Sequence, residues 1–319
     1  MTPGETTEAV RRESLQGFKE VGRRLSNWGR WGDTDELGTL NFVTAERRVA
    51  AARLVVTGKI FDLGMSLDAD GPQRGGARFN PIHRMTSLPG EDVRPGGMMV
   101  ADDMIIMPLQ CSTQWDALAH VGYDGLLYNG APASTVTARA GATRNSIDRV
   151  VDRLVGRGVL LDIATLKGAE CMAGGEEITP DDLNAAEKRQ GVEVGSGDIL
   201  LIRTGWHGKL RSGDTVAYMG REAPGIGLAC CEWLYDREVA AVAADTRAVE
   251  VSPSSDPPAT HPVHMVLLRD LGMTLGEMFD LEELARDCEA DGVWQFLFSG
   301  APLKVTGGVG SPLTPLAIK

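Results

Sequence analysis

The sequence predicts an α/β fold, and three observations lead to that prediction. Short, mostly apolar runs with the length of buried strands occur at Gly158–Ile163, Asp198–Arg203 and Val239–Ala244. A segment with helical character precedes each run, and strands that alternate with helices favour an α/β architecture over an all-α or all-β one. No internal repeat or low-complexity linker divides the 319 residues, so one large domain is expected.

The first elements are predicted from local patterns. Residues 1–25 form an amphipathic pattern of mixed charge, which predicts a peripheral helix. A second helix is predicted at Ala45–Thr57, ended by Gly58, and a strand at Lys59–Ser66. The segment Gly71–Gly97 is rich in Gly, Pro and Arg and has no periodicity, which is typical of a lid or a binding loop.

The later elements follow the helix-then-strand alternation. Helices are predicted at Ser146–Arg157, Thr179–Gln190 and Cys230–Arg237, and the second of these begins with a Thr N-cap followed by Pro. In Ala301–Lys319, apolar residues are spaced among Gly, Pro, Ser and Thr, which indicates packed irregular structure with a strand.

Composition excludes several classes of protein. The net charge is −12 and the pI is about 5.0, whereas a nucleic-acid binder or a protein on an anionic membrane needs a basic surface. No apolar run approaches the roughly 20 residues that span a bilayer, and the N-terminus lacks the apolar core of a signal peptide. Five cysteines without a CxxC pair suit a reducing compartment. A cytoplasmic location is therefore expected.

The segment Gln110–His120 concentrates polar chemistry. It holds two carboxamides, two hydroxyls, a carboxylate and an imidazole within eleven residues, directly after an apolar stretch. Polar groups in apolar surroundings are costly unless they are hydrogen-bonded or bind a ligand. This segment is therefore the first candidate for a functional site.

The spacing resembles the signature H-x-G-T-H-x-D-x-P-x-H of the kynurenine formamidase and isatin hydrolase group, within the cyclase family of metal-dependent hydrolases. Thr113, Asp116 and His120 match the Thr, the Asp and the last His of that signature. Gln110 and Gln114 stand where the family has two metal-binding histidines.

Other blocks extend the resemblance over most of the chain from residue 26 onward. Further blocks similar to the longer members of the family are Asn27–Asn41, Arg157–Ala164, Asp198–Trp206, Ala244–Glu250 and Val305–Pro315. His264 and Glu277 resemble a second ligand block. The resemblance implies a single domain of the swivelling β/β/α type at residues 26–319, and a homo-oligomer, either a dimer or a tetramer.

The resemblance also implies roles for individual residues. Asp116, His264 and Glu277 would hold a divalent metal, which polarises a carbonyl and activates water. His120 would shuttle protons, since imidazole titrates near neutral pH. Thr113 would donate a hydrogen bond to the developing oxyanion, and Glu277 would either ligate the metal or take the proton of water.

Gln110 and Gln114 leave undecided whether the site binds a metal and which metal it would be. A carboxamide oxygen is a weak ligand for zinc but an acceptable one for manganese, magnesium or calcium. Alternatively, Gln110 and Gln114 bind substrate at a site that has lost its metal. Trp115 and His261 are further candidates for substrate binding.

Arg247 follows an apolar strand, where α/β sheets place ligand contacts. Its guanidinium could bind a substrate carboxylate, or it could form a salt bridge with Glu250.

Each candidate also has an ordinary structural interpretation. His120 could be a satisfied core or surface histidine, and Asp116 a capping carboxylate. His264 and Glu277 flank the apolar run Met265–Leu275 and could cap a helix.

The predicted function is hydrolysis of an amide, imide or lactone bond in a small cyclic substrate by metal-activated water. One alternative is a metal-independent lyase, dehydratase or cyclase that uses His120 for proton transfer. A second is a relative that binds a small molecule without catalysis.

Overall fold

A nine-stranded mixed sheet forms the centre of the computed structural model, which describes residues 17–91, 93–254 and 259–319. The described residues form these strands: β1 Ile60–Asp62, β2 Ile82–Ser87, β3 Val93–Arg94, β4 Met98–Met99, β5 Asp102–Ile106, β6 Gln114–Asp116, β7 Val136–Thr137, β8 Gly141–Ala142, β9 Val155–Asp162, β10 Glu177–Ile178, β11 Ile199–Arg203, β12 Gly225–Ile226, β13 Ala241–Ala244, β14 Thr274–Glu277, β15 Gln295–Ser299, β16 Gly310–Pro312 and β17 Leu316–Ile318.

The order in the large sheet is β1-β17-β15-β9-β11-β13-β14-β6-β16. The four inner strands β9, β11, β13 and β14 are parallel, and the strands on both sides of them are antiparallel to their neighbours. The remaining strands form four small two-stranded sheets. Parallel strands require crossover helices, which explains the alternation in the sequence.

The helices lie between these strands. The described α-helices are α1 at 17–24, α2 Ala45–Ala52, α3 Ile163–Leu166, α4 Pro180–Gln190, α5 His207–Arg211, α6 Thr215–Tyr218, α7 Cys230–Asp236, α8 Pro262–His264 and α9 Glu282–Asp291. Four 3₁₀ turns are Gly38–Phe42, Tyr128–Gly130, Ala133–Thr135 and Ile147–Val150, and a π-helix, Met265–Leu271, continues α8.

The sheet has an apolar cluster on each face, as β11 illustrates. Leu200 and Ile202 face the cluster that includes side chains of α4, α7 and the π-helix. Ile199 and Leu201 face the other cluster, which includes side chains of α9. Because successive side chains of a strand point to opposite faces, a strand buried on both faces has to be apolar throughout. The predicted strand is confirmed for this reason.

Local signals placed α4 correctly. The Thr179 side chain accepts from the backbone of Asp182, whose side chain accepts from the backbone of Thr179, so that both form a capping box. The helix ends at Gly191, with φ 64°, a left-handed conformation that glycine adopts at low cost.

One predicted helix differs from the structure because sheet pairing overrides local propensity. The helix predicted at Ser146–Arg157 is wrong: only the 3₁₀ turn is helical, and β9 already begins at Val155. There Val155 pairs with Ser299 and Arg157 with Leu297 of β15, and that pairing is invisible in the local sequence.

The N-terminal helix is also more than peripheral in its described part. Phe18 and Leu25 are both 2% exposed and belong to the main apolar cluster. The earlier residues of the predicted helix, 1–16, lie outside the described residues. Within the described ranges, no helix is both long and apolar enough to cross a membrane.

Candidate metal centre

The candidate site is built on β6, whose three residues are all buried. Gln114 pairs with Glu277 and Asp116 with Leu275 on the neighbouring antiparallel strand β14. Side chains alternate along a strand, so Gln114 and Asp116 share one face while Trp115 points to the other. Sheet register thus brings together Gln114 and Glu277, which are 163 residues apart in sequence.

Three candidate metal ligands, two carboxylates and one imidazole, converge at this place. One ligand atom each of Asp116, His264 and Glu277 lies within 4.8 Å of the others, and all three side chains are buried. His264 Nε2 is 3.2 Å from Glu277 Oε1 and 3.9 Å from Asp116 Oδ2. The helix-capping interpretation of His264 and Glu277 does not describe this placement, because Glu277 ends a strand and both side chains meet at the cluster.

Glu250 positions His264 through contacts with its ring and its backbone. It accepts the backbone N–H groups of Val263, at 3.1 Å, and His264, at 3.0 Å, and it contacts Nδ1 of the His264 ring. A carboxylate on one ring nitrogen fixes the ring and leaves the other nitrogen facing the site. Sequence reasoning considered Glu250 only as a partner for Arg247; a carboxylate 14 residues before the candidate ligand gives no local signal.

Burial and neighbouring charges shift the acid–base properties of the cluster. Burial raises the pKa of Asp116 to about 6, assisted by the nearby Glu277 charge and opposed by His120 and His264. Burial alone would lower the pKa of His264, but Glu250 and then Glu277 outweigh it and raise the value to about 10. Two buried carboxylates around one imidazole therefore favour a positive charge at the centre.

A divalent cation fits this donor set. Asp116 Oδ2 and Gln114 Oε1 are buried and have no hydrogen-bond partner among the described residues. A buried carboxylate oxygen and a buried amide oxygen without partners are groups that a cation would satisfy. The Gln114 amide nitrogen donates to Glu277 Oε2 at 2.8 Å and to Asp116 Oδ1 at 3.3 Å.

Comparisons with known proteins agree on one family. The Cyclase family matches residues 61–251. The chain belongs to the Cyclase family. A crystal structure described as a novel cyclase is 42% identical, with a TM-score of 0.86, and the match covers 93% of this chain and 99% of that one. The α/β fold predicted from the sequence is that of this family and is confirmed.

More distant relatives carry a named activity. Isatin hydrolase of Roseibium aggregatum is 27% identical over 146 residues, 44% of this chain and 52% of that protein, so the chain matches about half the length of this relative. The structure of isatin hydrolase A from Ralstonia solanacearum is 24% identical with a TM-score of 0.62, covering 86% of this chain and 97% of that one. At that identity, the structural likeness shows the fold alone.

In this Cyclase-family chain, His120 and His261 border the cluster. His120 Nε2 is 3.8 Å from Asp116 Oδ1, and its side chain is 20% exposed. The ring of His261 lies edge-on to that of His264, with centroids 5.4 Å apart, and burial lowers the pKa of His261. Partial exposure gives His120 access both to the cluster and to solvent.

Two candidates in the motif have structural roles instead. Thr113 was expected to donate to an oxyanion, but its hydroxyl donates to the carbonyl of Met278 at 2.6 Å and accepts from the backbone of Met65. A hydroxyl has one proton to donate, and in this structure the Thr113 proton is used in the bond to Met278 rather than left for an oxyanion.

Trp115, predicted to bind substrate, lies in the core rather than at the cluster. The ring is fully buried in the second apolar cluster, where it packs edge-on against Phe279 and Phe298. Its indole N–H donates to the carbonyl of Gly300 at 2.8 Å. A side chain at Gly276 would overlap this ring, so the absence of a side chain there leaves room for Trp115.

The two remaining candidates, Gln110 and Arg247, have these contacts. Gln110 has a buried amide nitrogen without a partner in the described residues, and it lies over Gly310 of β16. Arg247 donates to the carbonyls of Gly220 and Arg221 and to Ser252 Oγ. The salt bridge between Arg247 and Glu250 is not formed in the described part of the chain, because Glu250 binds His264 instead.

Sequence reasoning also missed Arg78. Its positive charge contributes to the electrostatics of Asp116, Arg247 and His261. The loop that carries it is held by Gln73, whose amide donates to the carbonyl of Cys111 at 2.9 Å. An arginine in a glycine-rich loop had no distinguishing pattern.

Proposed function

We propose that this chain hydrolyses an amide, imide or lactone bond in a small cyclic substrate, with a divalent metal held by Asp116, His264 and Glu277. The observation that carries the proposal is the buried cluster of these three side chains, with ligand atoms within 4.8 Å of one another. The isatin hydrolase of Roseibium aggregatum, which by its name hydrolyses a small cyclic molecule, supports the class of substrate.

Each residue in and around the cluster would have a separate role in the reaction. Glu250 holds the His264 ring with Nε2 toward the cluster. Gln114 donates to both carboxylates and keeps its oxygen free, so it can serve as a neutral ligand or as a substrate anchor, a role that Gln110 can share. A bound divalent ion would polarise the scissile carbonyl and lower the pKa of water.

His120 is the proposed acid–base group. It lies at the partly exposed edge of the cluster, 3.8 Å from Asp116. It would take a proton from the attacking water as the carbon–oxygen bond forms, and deliver that proton to the leaving nitrogen or oxygen as the ring bond breaks. Arg247 and His261 would contact the substrate beside the reacting bond.

One observation favours a second candidate. The Gln114 amide donates to both carboxylates of the cluster, and His264 in its charged form pairs with Glu277, so the cluster has partial compensation without a metal. A metal-independent lyase, dehydratase or cyclase that uses His120 for proton transfer is compatible with that arrangement. Under this alternative, chelation leaves the activity intact.

The test combines metal content with turnover. Untagged protein would be loaded separately with Mn²⁺, Mg²⁺, Ca²⁺ or Zn²⁺, measured by mass spectrometry, and assayed with isatin, a lactone and an N-formyl amide. We expect near-stoichiometric metal and turnover, both lost in a His264→Ala/Glu277→Ala variant and retained in Glu283→Gln, a change of an exposed helical carboxylate.

Three outcomes separate the possibilities. Turnover that persists in chelator-treated, metal-free protein but is lost in His120→Gln would establish the metal-independent alternative. Binding of these compounds without turnover under every metal would indicate the non-catalytic relative. Metal that remains in the double variant would contradict the assignment of the ligands.

A further inference from the structure

A second cavity, of about 420 Å³, lies beside the loop that follows β1. The loop contributes Asp68 and Asp70 to its wall, α5 contributes His207, and Asp280 lines it just beyond β14. Among the described residues that form this lining, none belongs to the metal cluster at β6 and β14. The cavity is therefore a candidate site of its own.

The cavity has an excess of negative charge. Its wall holds three carboxylates, those of Asp68, Asp70 and Asp280, and one guanidinium, that of Arg211. Arg211 pairs with Asp280, with a nitrogen 3.2 Å from Oδ2. Asp68 accepts the backbone N–H of Asp70 at 2.8 Å, and in the described part of the chain neither of these two carboxylates forms an ion pair. Charge complementarity therefore favours a cationic occupant.

His207 gives independent evidence for a ligand. The residue is 4% exposed, and neither ring nitrogen has a hydrogen-bond partner among the described residues. Nδ1 is 3.7 Å from Asp280 Oδ1, too far for a hydrogen bond. Burial lowers the pKa of His207, which favours the neutral ring with one donor and one acceptor nitrogen. A buried polar side chain without partners requires an explanation, and a ligand in the cavity would supply one.

The spacing of these groups favours an organic cation over a metal ion. In the described residues, the cluster of Asp116, His264 and Glu277 is the one group of three potential ligands with the close spacing that a metal needs. The carboxylates and the imidazole of the cavity are more widely spread. Its volume of about 420 Å³ lies within the roughly 300–1,000 Å³ of small-molecule sites. Met65 and Leu210 also line it and offer contacts to an aliphatic chain.

We propose that this cavity binds a small aliphatic diamine in its doubly charged form. One ammonium group would donate to Asp280 and to the acceptor nitrogen of His207, since an ammonium carries three donors. The other would lie between Asp68 and Asp70, and the methylene chain would contact Met65. The inference is independent of the proposed hydrolysis, because it uses no residue of the metal cluster.

The first experiment is calorimetric titration of the chelator-treated full chain with 1,4-diaminobutane at pH 7.5. Both amines are charged at this pH, because alkylammonium groups titrate near pH 10. We expect saturable binding of one diamine per chain. The compound 1,4-butanediol has the same chain length without the charges and should show no binding.

The second experiment compares charge removed inside and outside the cavity. The variant Asp68→Asn/Asp70→Asn should raise the Kd for the diamine about tenfold, because two partly exposed ion pairs are lost. The control Asp33→Asn/Asp236→Asn removes the same net charge at exposed positions outside the cavity lining and should keep the Kd of the wild type. His207→Leu keeps the ring's approximate bulk without its nitrogens and should raise the Kd by about the same factor as the Asp68/Asp70 variant.

Circular dichroism would check the fold of each variant. If the buried change His207→Leu prevents folding, the exposed Asp68/Asp70 variant still decides the matter. The inference would be overturned if the wild type shows no saturable binding of the diamine, or if it binds the diol equally well. An equal rise of Kd in the control variant would also overturn it, since net charge alone would then explain the binding.

Discussion

The cluster at β6 and the exposed hairpin formed by β2 and β5 are eight residues apart in sequence. They are opposite exceptions to the rule that polar residues are exposed and apolar residues are buried. β6 buries Gln114 and Asp116, which are polar, whereas β5 exposes Met104, Ile105 and Ile106, which are apolar. Buried polar groups and exposed apolar patches are the informative exceptions in a folded protein. The first exception lies at the proposed catalytic site, and the second is an apolar hairpin exposed on this chain.

The largest expected effect comes from the edge of the cluster. Replacing His120 with Gln should lower kcat by about 10² to 10⁴, because the proton of the attacking water loses its acceptor. The free energy of unfolding should change little, since the ring is partly exposed. Steady-state kinetics on the substrate found in the screen would measure this, with His83→Gln in the hairpin as the matched control. Unchanged kcat in His120→Gln would rule out the proposed role.

The two faces of β6 should respond in different ways. Trp115→Ala should lower the free energy of unfolding by about 3–5 kcal/mol, because it leaves a cavity in the core. Ile105→Ala in the hairpin should change that free energy by no more than about 0.5 kcal/mol. Urea unfolding of both variants would show the difference. A Trp115→Ala protein that is as stable as the wild type but fails to bind substrate would support a substrate-binding role for Trp115 instead of a packing role.

The buried carboxylate of Asp245, just after β13, should make stability depend on pH. Burial raises the pKa of Asp245 to about 6, against hydrogen bonds from Thr204 that lower it. From about pH 4 to 6 the native state keeps this proton while the unfolded state loses it, so the stability it contributes falls as the pH rises.

Asp245→Asn should remove that part of the pH dependence. The variant should gain stability at pH 7.5 relative to wild type, by at most about 3 kcal/mol for a difference of about two pKa units. The difference between the two proteins should shrink toward pH 4. Urea midpoints of both proteins at pH 4, 5 and 7.5 would measure the effect. A constant difference at all three values would mean that Asp245 keeps its usual pKa.

The smallest expected effect concerns the support of His264. Glu250→Gln preserves size but removes the charge behind the ring, and should weaken metal affinity and turnover by about 10- to 100-fold. Metal titration together with kcat and KM would separate this positioning role from a general loss of fold. Glu283→Gln is again the control, and equal metal affinity in both variants would argue against the role of Glu250.

The sequence by itself determined the parts of the molecule that depend on local pattern. The apolar runs at β9, β11 and β13 and the cap of α4 follow from burial on both sheet faces and from helix-end hydrogen bonding. The motif at residues 110–120 located the site, and its spacing predicted the family. Asp116, His264 and Glu277 were named from that resemblance, and the structure places them together.

Only the tertiary structure decided which of these polar groups face one another. The register of β6 against β14 turned Trp115 into the core and Gln114 toward Glu277, and it left the Thr113 hydroxyl bound to a main-chain carbonyl. Glu250 contacts the start of α8, where it accepts the backbone N–H groups of Val263 and His264. Such contacts join residues far apart in sequence, and their energies depend on sheet pairing and packing that no local pattern encodes.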